Sequence, residues 1–176
     1  QKKKHEIKDT ANSILTNTEK LITDQKYDMA KEKVNEIFEL DENFIQESII
    51  QKADNLISKI ELIELVELYD IESRYITTYG DEKEAGIRFK IKNNSDQDLS
   101  KVAVKVYYLD TNGNRIHEKT FNPVLVTEYS FGNNDPLKAG YIYQMPDRQF
   151  YTSESVPNEW NEGKVSVSIS DVEIMD

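Results

Sequence analysis

The 176-residue sequence contains no cysteine, so it forms no disulfide, offers no thiolate to a metal and holds no cysteine nucleophile. Its two histidines, His5 and His117, are the candidate imidazole bases or metal ligands. His5 lies in the charged start of the chain, and His117 is expected on the surface of a strand. No nucleophile elbow, phosphate-binding loop or zinc-ligand spacing occurs. These absences predict a protein that is not an enzyme and uses no cofactor.

Long hydrophobic runs are also missing from the sequence. No apolar segment approaches the length of a membrane-spanning helix, and the printed chain has no signal-peptide core. Positive charge is scarce, since 22 lysines and arginines face 33 aspartates and glutamates, giving a formal net charge of -11. Phosphate contacts need a basic surface, so this acidity argues against nucleic acid or an anionic membrane surface as a partner.

The chain starts with Gln1 followed by Lys2, Lys3 and Lys4. One interpretation is that a leader or lipid anchor has been removed, as in a bacterial lipoprotein. It predicts an exported protein of the bacterial cell envelope, lipid-anchored or extracellular, that meets the membrane only through that anchor. An arbitrary boundary explains the same start, and a run of lysines is also typical of a solvated tail.

The segment from Gly86 to Asn114 has the clearest local pattern. Ile87, Phe89 and Ile91 alternate with basic residues, and a period of two places them on one face of a strand. A second alternating run contains Val102, Val104, Val106 and Tyr108. The Asn-Gly pair within Asp110–Asn114 predicts a hairpin turn, with the next strand beginning near Arg115.

Several positions around these strands form a wider pattern, which comprises Asn93, Ser95, Leu99, Val102, Val104, Val106, the run Tyr107 to Asp110, Gly113 and the run Pro136 to Gly140. This pattern resembles the FxLYD family of small immunoglobulin-like domains from exported prokaryotic proteins. The resemblance covers residues 65–176 and implies an antiparallel β-sandwich. Its motifs are strand and turn signatures, so no functional residue carries over from the family.

The sequence after Arg115 predicts further short strands separated by turns. A weakly alternating run follows Arg115, and Val124 and Val126, with Tyr129 or Phe131, extend the sheet. The last strand contains Val165, Val167 and Ile169, then Val172 and Ile174 beyond a phase shift. About seven short strands without crossover helices predict an antiparallel immunoglobulin-like β-sandwich over residues 65–176.

Residues 1–64 have a near-helical period instead. Apolar positions predict three helices, and the third includes Phe44 and Ile45. Asp28 is the candidate cap of the second helix, and Asp41 to Asn43 are candidate caps of the third, with Asn43 and Gln46 in the spacing of a capping box. The segment from Tyr27 to Asp41 resembles the junction of a tetratricopeptide-type helical hairpin, although only one such junction is visible. The overall fold class is therefore α+β, with a helical hairpin or three-helix segment before the sandwich. The helical stripe is interpreted either as a partner-binding groove or as packing within the protein.

The candidate binding residues are the aromatic side chains between positions 141 and 160, which are Tyr141, Tyr143, Phe150, Tyr151 and Trp160. Aromatic residues near loops stack on sugars or anchor a protein partner. The alternative is that about half of them pack in the sandwich. If Tyr151 and Trp160 are both exposed beside each other, the interpretation of these residues as a binding site is favoured.

The acidic loops provide a weaker candidate for calcium binding. Asp110, Asn112 and Asn114 place oxygen atoms at alternate positions, but the glycine and the downstream glutamate of a calcium loop are out of place. A plain hairpin turn is favoured. Other acidic loops, containing Asp81, Glu82 and Glu84 or Asp96 and Asp98, have the same weak standing, so no metal site is predicted.

These features predict a non-catalytic interaction or structural module of the bacterial cell envelope, with an unidentified protein partner. The alternative is a β-sandwich that binds a ligand such as a glycan through the aromatic residues between Tyr141 and Trp160. A hydrolase using paired carboxylates is a third, weaker hypothesis.

Overall fold

A computed structural model describes residues 2–129 and 134–176 of the chain. The chain divides into two compact units, residues 1–64 and 65–176. Three α-helices, all in the first unit, precede seven antiparallel strands in the described residues, and the strands form two sheets. The predicted α+β class with a sandwich-like second unit is confirmed. Phe131, a candidate for extending the sheet, lies outside the described residues.

The first unit contains α1 (Lys2–Thr23), α2 (Tyr27–Asn35) and α3 (Glu47–Glu64). Short 3-10 segments at Glu36–Glu39 and Glu42–Phe44 lie between α2 and α3. The helices bury one apolar stripe each, and the shared core consists of Ala11, Ile14, Leu15, Val34, Ile37, Ile49 and Ala53. Within the described part of the chain, no helix is long and apolar enough to cross a membrane.

The predicted Asp28 cap and the Asn43–Gln46 capping box are wrong, whereas Asp41 caps a 3-10 turn that precedes α3. Helix α2 begins at Tyr27, so Asp28 falls inside its first turn, where a carboxylate still favours the helix dipole. The Asn43–Gln46 capping box does not form, because a 3-10 turn occupies Glu42–Phe44 and Ile45 is extended. In its place, the Asp41 carboxylate accepts a hydrogen bond from the Asn43 backbone N–H at 3.3 Å. Residues 44 and 45 therefore precede α3.

The second unit contains the seven strands, which are β1 (Val66–Thr77), β2 (Lys83–Asn93), β3 (Leu99–Leu109), β4 (Arg115–Leu125), β5 (Ile142–Gln144), β6 (Tyr151–Ser153) and β7 (Val165–Ile174). In the first sheet, β2 pairs with β1 on one side and with both short strands, β5 and β6, on the other. In the second sheet, β3 lies between β4 and β7. The weakly alternating run after Arg115 and Val124 form one continuous strand, β4, whereas the predicted extension through Val126 and Tyr129 is wrong because β4 ends at Leu125.

The core between the sheets follows the predicted alternation. Ile87, Phe89 and Ile91 are buried, as are the alternating residues of β3 from Val102 to Tyr108. Strand β7 contains the predicted phase shift, since its pairing with β3 slips between Ala103 and Val104. Such a bulge leaves one residue unpaired and restores the inward face beyond it.

The turn between β3 and β4 spans Asp110 to Asn114, and β4 begins at Arg115 as predicted. Gly113 has φ +82°, a left-handed conformation that glycine adopts without steric penalty. The Asp110 carboxylate accepts hydrogen bonds from the backbone N–H groups of Asn112 and Asn114, both at 2.8 Å. These bonds and a further one from the Asn114 amide lower the pKa of Asp110.

Candidate functional site

A groove of the sandwich unit lies where the end of β4 approaches β5. It has a volume of about 560 Å³, and we call it the β4–β5 groove. Its walls combine apolar side chains with the polar groups of Asp135, Lys138 and Gln144. Pro123, Pro136 and Pro146 also line it, and the fixed φ angle of proline stiffens its rim.

Three of the five predicted aromatic residues, Tyr141, Tyr143 and Tyr151, line this groove. Tyr141 is 61% exposed, and Lys138 lies over its ring with the ammonium 5.9 Å from the ring centroid. Ile142 and Leu125, which also line the groove, are 51% and 42% exposed. Exposed large apolar side chains thus converge on one concave surface.

Tyr151 forms the floor of the groove through an aromatic stack between the sheets. Its ring lies 5.7 Å from Phe89 of the first sheet and 4.9 Å from Phe121 of the second, with interplanar angles of 20° and 29°. The Tyr151 hydroxyl is hydrogen-bonded to the Tyr143 hydroxyl at 2.9 Å. Burial, and then this bond, raise the pKa of Tyr151. The Tyr151 hydroxyl therefore stays neutral at physiological pH.

Asn93 fixes one wall of the groove. Its side chain is fully buried and donates to the carbonyl oxygens of Gln97 at 2.7 Å and Leu137 at 3.1 Å. Its backbone N–H donates to Tyr141 O, and its carbonyl accepts from Gly140 N. Asp98 supports the same loop, because its carboxylate accepts from the backbone N–H of Ala139 at 2.8 Å. These bonds hold the loop that carries Tyr141.

The positioning role of Asn93 was not predicted from the sequence, but a signal for it was present. Position 93 continues the inward alternation of Ile87, Phe89 and Ile91, so a polar residue there must be buried. Buried amides need hydrogen-bond partners, and a turn-rich stretch follows at once. A buried turn anchor is the interpretation that this pattern favours.

The other two predicted aromatic residues lie elsewhere. Trp160 is 4% exposed, with its ring centroid 4.8 Å from that of Tyr75 and 5.4 Å from that of Tyr108. Its indole N–H donates to the carbonyl of Lys164 at 2.9 Å. The Trp160 ring thus packs against Tyr75 and Tyr108 inside the sandwich unit. Trp160 and Tyr151 are therefore not exposed side by side.

Phe150 lies on the outer side of the first sheet. The guanidinium carbons of Arg74 and Arg88 lie 5.0 Å and 5.6 Å from its ring centroid. Both distances are within the range of cation–π attraction. Phe150 is therefore part of a cationic surface and not of the β4–β5 groove.

His117 does not lie on the outer strand surface, where it was expected. It pairs with the buried Tyr108 in the sheet register, so its side chain is on the core-facing side of β4. Its Nε2 atom is 3.2 Å from Ser153 Oγ of β6. Ser153 is itself buried, and a buried hydroxyl is not accessible to a substrate. The contact links the edges of the two sheets.

The acidic loops do not assemble a cation site. Among the residues that the structure describes, no group of three or more histidine, aspartate or glutamate side chains is placed to hold a metal ion. The oxygens of Asp110 are engaged by its own turn, and an oxygen of Asp98 is engaged by Ala139.

Comparisons of the chain with family models, with curated proteins and with solved structures found no match. The resemblance to FxLYD domains stays a prediction from the sequence.

Proposed function

We propose that the protein is a non-catalytic interaction module, and that its β4–β5 groove holds a segment of a protein partner. The observation that carries this proposal is the convergence of exposed Leu125, Tyr141 and Ile142 on one concave surface. Contiguous exposed apolar side chains mark interaction sites, because removing them from water favours association.

The groove is preorganised, which supports the same proposal. The Phe89–Tyr151–Phe121 stack supports its floor, and the Asn93 side chain holds its wall. Binding in such a groove has the entropy cost of ordering the partner segment, but not the additional cost of ordering the groove itself. Tyrosine at the centre of an interface supplies a large apolar area with a hydroxyl at its tip.

The location of this module at the bacterial cell envelope is part of the proposal. It rests on the resemblance to domains of exported proteins. The helical unit, with its own buried core, is proposed as a structural or second interaction element.

The proposal is tested by capture from a bacterial envelope extract with matched tyrosine variants. Tyr141→Ala removes the exposed ring of the groove, whereas Tyr129→Ala removes a tyrosine that is also exposed but does not line it. We expect a specific protein to be retained by the wild type and by Tyr129→Ala and lost with Tyr141→Ala. Retention by a folded Tyr141→Ala variant would contradict the assignment of the groove.

A glycan is the second candidate ligand, and one observation favours it. The exposed ring of Tyr141 lies in the same groove as the Tyr143 hydroxyl and the Gln144 amide, a combination suited to stacking on a sugar while bonding its hydroxyls. Tyr141→Leu separates the two ligands. A protein segment that buries apolar area should tolerate leucine, whereas a stacked sugar should lose most of its affinity on a glycan array.

A further inference from the structure

The outer side of the first sheet has a cationic surface on an otherwise acidic protein. It consists of Arg88, Lys90 and Lys92 of β2, with Arg74 of β1 and Phe150, and we call it the β2 cationic row. The formal net charge of the chain is -11, so nonspecific attraction of anions is disfavoured. Any anion held at this row would be held by local contacts.

Two cations of the row have no ion pair among residues 2–129 and 134–176. Lys90 donates to Asp70 at 2.8 Å, and Arg74 lies 3.3 Å from Glu72. Arg88 lies over the Phe150 ring, and Lys92 forms no ion pair with the residues that the structure describes; both side chains are half-buried. A half-buried guanidinium that forms no ion pair with the described residues is unusual in a protein with so many carboxylates, although Glu72 is its cross-strand neighbour.

The charges around the row are arranged asymmetrically. On the β1 side, Glu67 and Glu72 lie opposite Lys92 and Arg88. On the β5 side, the residues opposite Lys92 and Lys90 are Ile142 and Gln144, and neither is charged. Phe150 covers the corresponding position beside Arg88. On the β5 side of the row, no carboxylate of β5 competes with an anionic ligand for Lys90 and Lys92.

The spacing of the row matches an extended peptide. Alternate residues of a strand lie about 6.7 Å apart, so Arg88 and Lys92 are separated by about 13 Å along β2. Side chains four residues apart in an extended ligand peptide are separated by the same distance. The Arg88 guanidinium presents a planar fork of donors that suits a carboxylate, and the Phe150 ring holds it in place.

We infer that the β2 cationic row binds an extended acidic peptide segment, with two carboxylates four residues apart placed over Arg88 and Lys92. The row adjoins the β4–β5 groove, because Ile142 and Gln144 border both surfaces, but its proposed ligand contacts do not include Tyr141. Arg88 and Lys92 contact the ligand, and Phe150 is a positioning residue that holds the arginine.

Fluorescence anisotropy with a labelled Glu-Thr-Glu-Thr-Glu peptide tests this inference, and the Gln-Thr-Gln-Thr-Gln peptide is its uncharged control. Arg88→Gln and Lys92→Gln should each weaken binding about threefold to tenfold, a loss typical of one charge-assisted contact. Arg115→Gln is the matched control, because it makes the same charge change on the second sheet, where Arg115 stacks on Tyr107. Arg115→Gln should change the affinity less than twofold.

Phe150→Leu keeps an apolar side chain but removes the ring that holds Arg88. We expect Phe150→Leu to weaken peptide binding more in the wild-type background than in the Arg88→Gln background. A merely structural role of Phe150 would not produce this difference. The emission maximum of Trp160 checks that each variant is folded. If Arg88→Gln does not fold, Lys92→Gln carries the test.

Four results would overturn the inference. The first is that the glutamine peptide binds as tightly as the glutamate peptide, and the second is that Arg115→Gln weakens peptide binding as much as Arg88→Gln does. The third is that folded Arg88→Gln or Lys92→Gln binds the peptide as tightly as the wild type. The fourth is that the protein binds polygalacturonate and does not bind the peptide. The last would assign the row to an acidic polysaccharide. Tyr141→Ala should leave peptide binding unchanged, so failure of the row and failure of the groove are distinguished.

Discussion

Replacing Asn93 with alanine tests whether a single buried amide sets the stability of the sandwich unit. The side chain makes four hydrogen bonds, two as donor to the carbonyls of Gln97 and Leu137 and two as acceptor from Ser95 N–H and Ser95 Oγ. After Asn93→Ala, three of the four partner groups keep another bond, since Leu99 N–H still donates to Leu137 O and Ser95 Oγ still donates to Gln97 O.

The group left without its acceptor is the backbone N–H of Ser95, which is buried. Leaving a buried donor unsatisfied costs about 1–3 kcal/mol, and the lost bonds of the other groups and the space left by the amide add to it. We expect Asn93→Ala to lower the free energy of unfolding by about 3 kcal/mol. Asn93→Asp should destabilise at least as much, because it places a carboxylate beside two carbonyl oxygens.

Urea unfolding followed by tryptophan fluorescence measures this loss, because Trp160 is the single tryptophan of the sequence and is buried in the sandwich unit. Asn122→Ala is the control, since Asn122 is exposed on β4. A loss below about 1 kcal/mol for Asn93→Ala, or one equal to that of Asn122→Ala, would refute the reasoning.

Three further perturbations test the two units. Burial raises the pKa of Tyr108 to about 12 from an ordinary value of 10.0, so the unfolded state releases this proton at a lower pH than the folded state does. The free energy of unfolding in urea should therefore be unaffected by this group below pH 10 and should fall as the pH rises towards 12. This fall should exceed that of the Tyr108→Phe variant by up to about 3 kcal/mol. Gly113→Ala should cost about 1 kcal/mol in the same assay, because its φ is +82° while no neighbour would contact the added methyl group. In the helical unit, Ile37→Ala should lose about 3 kcal/mol by circular dichroism, whereas Phe38→Ala should lose less than about 1 kcal/mol, since Ile37 is fully buried and Phe38 is 47% exposed. Equal losses at positions 37 and 38, or no loss at Gly113, would contradict these assignments.

Local periodicity predicted the strands well because the inward face of β2 and β3 leaves a two-residue pattern in the sequence. The buried set Ile87, Phe89 and Ile91 and the start of β4 at Arg115 follow from that pattern and from the turn before it. Helix ends were predicted poorly, because Asp41 caps a 3-10 turn that competes with the start of α3.

The candidate site was predicted only in part, since its walls come from distant parts of the chain. Aromatic content alone pointed to Tyr141, but the contribution of Leu125 depends on β4 ending beside β5. The burial of Trp160 depends on Tyr75 and Tyr108, which are 85 and 52 positions away in the sequence. Local composition does not contain such contacts, so a loop tryptophan looks exposed until the sheets are assembled.

The edge of β4 has a consequence for how the protein behaves at high concentration. Over the described residues β4 pairs with β3 alone, so its other edge is open to a further strand. Lys119, opposite the buried Val106, is on the core-facing side of β4, and Pro123 has no N–H to donate. Another strand added here would have to desolvate the ammonium group and forgo a hydrogen bond, both of which discourage edge-to-edge aggregation. The open edge of β4, which borders the β4–β5 groove, therefore resists self-polymerisation.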